Sequence, residues 1–153
     1  MKLLLQCFLV LMVMTSLFGS DILVAQSGGD AIVGTWLVPE KDGKIKVYKK
    51  GDTYFGEIIW IAEPNNADGT PRKDIQNIDE SLRSQPIVGL QVLEGFKYDA
   101  GEDEWIDGTV YNSRSGKTYS GYIKLQKDGT LYLKGFVMGM RWMGKSNVWT
   151  RVK

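Results

Sequence analysis

From residue 31 to the end of the chain, short runs of alternating apolar and polar residues are separated by turns bearing Gly or Asp. This rhythm points to an antiparallel β-fold. The turns are Lys41-Asp42-Gly43, Gly51-Asp52, the stretch from Asp99 to Asp103, Arg114-Ser115-Gly116 and Lys127-Asp128-Gly129. Each offers a residue that tolerates the positive φ a tight hairpin needs. The runs between them predict eight strands, at 31–38, 44–50, 53–61, 86–98, 104–113, 117–126, 130–138 and 146–153. In the sixth, Tyr119, Gly121, Ile123 and Leu125 share one face and Ser120, Tyr122 and Lys124 the other; in the seventh, Leu131, Leu133 and Val137 oppose Tyr132, Lys134 and Phe136. One dry face and one wet face fit a sheet that closes on itself, which also removes its edges. The expected fold is therefore all-β, an eight-stranded antiparallel meander barrel. Mid-strand glycines (Gly56, Gly89, Gly95, Gly108, Gly121, Gly135) would serve bends or bulges at barrel corners, or a close backbone approach to a ligand.

Residues 1–25 read differently. Lys2 precedes an apolar run, "LLLQCFLVLMVM", shorter than the roughly 20 residues a membrane-spanning helix needs. The small-residue stretch that follows predicts a secretory signal peptide cleaved after Ala25, with Gly19 or Ser20 as alternative sites. Residues 26–153 are then a single barrel domain, exported to the periplasm or beyond the cell. The one cysteine, Cys7, lies in this leader, so the mature chain would have no disulfide, thiol nucleophile or Cys-ligated metal. The chain has no histidine, which removes imidazole acid–base chemistry and His-ligated zinc. Lys and Arg total 19 against 18 Asp and Glu, a balance that gives no electrostatic case for nucleic acid or for an anionic membrane. No cofactor and no metal site are expected.

Several stretches carry alternative readings. Residues 62–85 form one long polar connection, a lid or a merely mobile loop, in which Asp79 could cap a single helical turn over 79–83. Arg83 could clamp an anionic head group or, instead, pair with Asp79 or cap loop carbonyls. The acidic hairpin with Asp99, Glu102, Asp103 and Glu104 lacks the residue order of a calcium loop and reads as a solvated turn. Glu57 and Asp107 are the pair an enzymatic reading would need inside the barrel, but strand phase turns both outward. The cluster "MGMRWMG" (138–144) suits a binding mouth, a membrane-touching tip, or a loop packed over the barrel end.

Gly34-Thr35-Trp36 near the start and Arg151 at the far end resemble the structural signature of the calycins, where the last strand lays an arginine across the tryptophan of the first. A guanidinium over an indole is favourable by about 0.5–2 kcal/mol. A longer ordered match resembles the exported bacterial family designated domain of unknown function 2147: Gly34-Thr35-Trp36, Asn77-Ile78-Asp79, Arg83-Ser84-Gln85-Pro86-Ile87-Val88-Gly89, Trp105 through Tyr111, Gly116-Lys117-Thr118-Tyr119 and Trp149-Thr150-Arg151. Ile78, Gln85 and Ser113 depart from that pattern, Gln85 standing where a second arginine is frequent. The resemblance implies a lipocalin-like barrel and brings no established reaction.

The expected role is non-enzymatic binding of a small apolar or amphipathic ligand in the barrel interior. The alternatives are a ligand-free interaction module with a filled barrel, in which Tyr122, Tyr132 and Phe136 form one exposed patch, and a carboxylate-dependent enzyme. Strand phase nominates Tyr54, Ile58, Trp60, Leu90, Val92, Tyr119, Ile123 and Leu133 as lining residues, with Arg83 or Arg141 at the mouth. Gly34, Trp36 and Arg151 are assigned a structural role.

Overall fold

A computed structural model describes residues 28–153; the predicted leader lies outside the described residues. After a short 3-10 helix, Gly28–Ile32, come eight strands: β1 (Gly34–Leu37), β2 (Gly43–Lys50), β3 (Thr53–Ile61), β4 (Gln91–Asp99), β5 (Glu104–Asn112), β6 (Lys117–Leu125), β7 (Leu131–Phe136) and β8 (Gly144–Arg151). Each pairs antiparallel with the next, and β8 returns to β1, closing the barrel. A meander of this kind places the β1–β2, β3–β4, β5–β6 and β7–β8 connections at one end. The remaining hairpins and both ends of the described chain lie at the other.

The lower end is sealed by the seam that the terminal motifs predict. Trp36 pairs with Arg151 and Leu37 with Thr150. The Arg151 guanidinium lies 4.2 Å from the centre of the fully buried Trp36 ring and donates to the carbonyls of Val33 (2.9 Å) and Ala31. Trp36 donates its indole N–H to Ile32 O at 2.8 Å, and Trp105 donates to Gly29 O at 3.0 Å, so two buried indoles tie the 3-10 helix under the barrel. Tyr54 donates to Asp30 at 2.7 Å, and Lys49 pairs with the same carboxylate. Burial first, and then that bond, raise the Tyr54 pKa. Above this seal Phe96, Leu93, Ile123 and Leu131 fill the lower interior.

The mid-strand glycines serve both packing and bending. A Cβ on Gly108 would stand 2.3 Å from the Phe96 ring, and one on Gly121 would meet Val110 and the same ring, so the ring lies against bare backbone. Register shifts between β3 and β4 flank Gly56, and another separates Trp105 from Gly108. The β2–β3 ladder also slips, pairing Ile45 with Ile58 but Lys44 with Trp60. Ile59 is the extra residue, and beyond it the faces invert. Trp60 therefore stands outside the barrel, 40 % exposed beneath the Lys44 ammonium, contrary to its assignment as a lining residue.

Three predicted strands are markedly shorter than expected. β1 covers only Gly34–Leu37 rather than 31–38, because Ala31 and Ile32 belong to the 3-10 helix. β4 starts at Gln91 rather than at residue 86, because Gly89 adopts a φ of 97° and Ile87 bonds back to Arg72 O. β7 ends at Phe136, so Val137 is an exposed loop residue rather than part of the inward face.

Candidate functional site

Above the packed lower half the barrel opens into a cavity of about 1020 Å3. Its inner wall is apolar, formed by Ile45, Ile58, Val92, Val110, Leu133 and Trp149. Alternation on β2, β3, β4, β5, β7 and β8 turns these side chains inward, and Ile61 joins them because of the bulge at Ile59. The rim is polar. Arg72 pairs with Glu63 at 2.8 Å, and Arg114 with Asp42 at 2.7 Å. Lys73 also borders the cavity, and among the described residues it makes no ion pair.

The long connection is a built strap rather than a slack loop. Lys73 bridges Pro86, and the amide of Asp74 donates to Gln85 O, so the segment doubles back on itself. Asp79 caps the single turn Glu80–Leu82 by accepting from the Ser81 amide, as its place in the sequence suggests. Asp74 fastens the strap to the barrel. It is completely buried and accepts from Tyr111 Oη of β5 at 2.6 Å and from Asn77 Nδ2 at 2.8 Å. Burial first, and then this carboxylate, raise the Tyr111 pKa well above that of a free tyrosine. At the β5–β6 turn Gly116, with φ of 69°, lies so close to Gln76 O that a Cβ there would overlap it at 1.6 Å. Asp79, Arg83 and Gly116, all within the ordered motif series, meet at Asn77, which with Tyr111 holds Asp74, a residue that sequence reasoning passed over. Asp74 sits in a largely polar stretch, and no local pattern marks it for burial.

The nominated residues separate into distinct places. Ile58, Val92 and Leu133 line the cavity. Tyr54 is at the sealed end, Ile123 is in the packed lower core, and Leu90 is buried at the base of the strap, where its carbonyl accepts from the Ile58 amide. Tyr119 is half-buried beside Gly135 and pairs with Val110, but it is not among the residues that line the cavity. Arg83 is not at the mouth: its Nε donates to Asn77 O at 2.8 Å and it pairs with Glu80, so it caps the strap's own backbone. Arg141 is not there either. It crosses the outer face, with its guanidinium 3.9 Å from the Tyr122 ring centre and 2.8 Å from Glu104. Glu104, expected in a solvated turn, is buried, and Lys124 also reaches it at 3.2 Å. The bond from Arg141 lowers its pKa against the opposing effect of burial. Tyr122, Tyr132 and Phe136 do adjoin on the outside, with ring centres about 6 Å apart, but Phe136 is buried rather than exposed. Glu57 and Asp107 point away from the interior, and Asp107 faces Lys97 at 3.9 Å. Among the described residues there is no cluster of three or more side chains able to hold a metal, and no helix long and apolar enough to cross a membrane.

The profile of a family described as an uncharacterized protein conserved in bacteria, DUF2147, matches residues 34–151. The chain belongs to the DUF2147 family. That match spans every barrel strand and the whole strap. No curated protein matches the sequence. Among solved structures, protein HP1028 from Helicobacter pylori, described as belonging to the lipocalin family, is similar at 22 % identity. The match covers 79 % of this chain and 82 % of that one, with a TM-score of 0.68. At that identity the likeness speaks to fold, and the DUF2147 barrel is lipocalin-like.

Proposed function

We propose that the chain binds a small amphipathic molecule, with its apolar part inside the upper barrel and its polar head among Arg72, Lys73, Arg114 and the rim carboxylates. The observation that carries this reading is the cavity of about 1020 Å3, apolar within and charged at its rim. It lies at the upper end of the size range of small-molecule sites, and burial of an alkyl chain there would contribute roughly 0.8 kcal/mol per methylene. The reading is one of binding without catalysis. The carboxylates an enzyme would need converge nowhere inside the barrel among the described residues, and the chain lacks histidine. The apolar leader supports export, with residues 1–25 removed, and N-terminal sequencing of protein recovered from a bacterial host would locate the cleavage.

A displacement titration tests the binding. An environment-sensitive alkyl dye should bind and be displaced by unlabelled alkyl amphiphiles, and Val92→Trp should weaken its binding at least about tenfold by occupying the cavity. Dye binding that Val92→Trp leaves unchanged would place the ligand elsewhere. Absence of binding by any alkyl probe, together with native mass spectra free of retained ligand, would sink the reading.

A further inference from the structure

The near-zero charge of the whole chain conceals a sharp division. From residue 113 onward, the part that supplies β6, β7 and β8, there are nine Lys and Arg against one acidic residue, Asp128. Over residues 28–112 there are nine Lys and Arg against sixteen Asp and Glu. One sector of the barrel is thus strongly basic and the remainder acidic. Of this sector, Lys117, Lys134 and Lys145 lie on β6, β7 and β8 towards the end that carries the β5–β6 and β7–β8 turns, and make no ion pair among the described residues; Lys127 and Lys153 lie at the opposite end.

The β7–β8 loop stands within this sector, at the same end of the barrel as the cavity mouth. It presents the two most exposed large hydrophobic side chains among the described residues, Met138 (82 %) and Trp142 (75 %), beside Val137 and Met143. The loop is fixed. Successive short bonds, Met140 N to Val137 O at 3.0 Å and Met143 N to Met140 O at 2.9 Å, wind it tightly, and Met138 and Gly139 both take positive φ. Arg141 pins it from beneath, held between the Tyr122 ring and buried Glu104. Its one arginine therefore faces the protein while its large apolar side chains face water. Side chains exposed by a braced loop do not have to be ordered on contact with a partner.

We propose that this loop is a docking tip for an anionic lipid bilayer, with Met138 and Trp142 entering the interfacial layer and the unpaired lysines of β6–β8 lying over the head groups. An indole, apolar with one donor, suits the boundary between acyl chains and water, and a thioether adapts to disordered chains. Basic residues on one side and an acidic remainder on the other orient the molecule towards a negative surface. None of residues 137–143 lines the cavity, and exposed apolar side chains beside unpaired lysines match the layered chemistry of an anionic bilayer surface. Docking there brings the cavity mouth to the lipid surface, but the inference holds whether or not the cavity is occupied.

The test uses the chain from Gln26 onward, since the described residues close the barrel and its seal without the apolar leader. Flotation should recover it with phosphatidylcholine vesicles containing about 30 % phosphatidylglycerol, and far less with phosphatidylcholine alone. Partitioning should fall about tenfold between roughly 0.05 and 0.5 M salt. Met138→Ser with Trp142→Ser should lower it about tenfold with the melting temperature unchanged, both positions being solvent-exposed. Lys134→Glu with Lys145→Glu should do the same, and brominated lipid should quench fluorescence in the parent but not in Trp142→Ser. Recovery that the serine variant leaves intact, or no recovery with the anionic vesicles at low salt, overturns the proposal. So does a salt-sensitive dimer in sedimentation that Trp142→Ser dissolves while vesicles bind neither form, because the tip would then be an interface between two copies of the chain.

Discussion

Arg151 does three things with one side chain: it covers the Trp36 face and donates to the carbonyls of Ala31 and Val33 at the junction of the 3-10 helix and β1. Arg151→Lys keeps the charge but loses the planar stack and the forked donation, so it should cost about 1–2 kcal/mol in urea unfolding. Trp36→Ala removes a wholly buried indole and its bond to Ile32, and should cost about 3–5 kcal/mol before it affects ligand uptake. Lost affinity with unchanged melting would instead make Trp36 part of the site. Gly108 provides a second residue-scale test. Its missing side chain is the seat of the Phe96 ring, so Gly108→Ala should destabilise by about 1–3 kcal/mol through overpacking. Adding Phe96→Leu to it should cost less than the two single changes combined, which a double-mutant cycle by denaturant unfolding would read directly.

Among the elements, the strap and the β7–β8 loop are each held by one buried carboxylate. Tyr111→Phe removes one of the two donors to Asp74 and leaves a buried carboxyl group less satisfied, at a cost of about 1–3 kcal/mol. Hydrogen exchange should then speed up across residues 62–85 while β2 and β6 stay protected; uniform acceleration over the whole barrel would mean that the strap is not a separable unit. Glu104 governs the other loop. Its folded pKa lies below the unfolded value of about 4.3, so its contribution is complete above that value and is lost as pH falls through the lower, folded one. The melting temperature of the parent should therefore exceed that of Glu104→Gln near neutral pH, and the gap should close under acid; a gap constant with pH would remove the Arg141–Glu104 pair as the cause. These elements also mark the limit of what the sequence discloses. Hairpins were legible because Gly and Asp act within four residues, and so was the Asp79 cap. Trp60 was misplaced because its orientation depends on a slip against β2 that no stretch of β3 displays. Asp74 was missed because it is buried where the strap meets Tyr111 of β5, 37 residues further along the chain.

For the whole molecule, the division of the barrel into a filled lower half and an open upper half makes stability and binding separable. The seal of Trp36, Trp105 and the 3-10 helix, with Phe96 and Leu131 above it, lies below the cavity, whereas Val92 and Leu133 belong to its wall. A ligand that enters only the folded state stabilises it by mass action, about 2.7 kcal/mol at a hundred times its dissociation constant. For a chain of this length that corresponds to a rise in melting temperature of several degrees. Saturating alkyl amphiphile should therefore raise the melting temperature of the parent, and should leave that of Val92→Trp, whose cavity the indole already occupies, nearly where it began. Trp36→Ala should behave in the opposite way, starting lower but rising by the same increment, because its damage lies beneath the cavity floor. A parent whose melting temperature ignores the amphiphile would show that the upper half is open to solvent without being a binding site. Equal rises in the parent and in Val92→Trp would place the amphiphile on the outer surface instead.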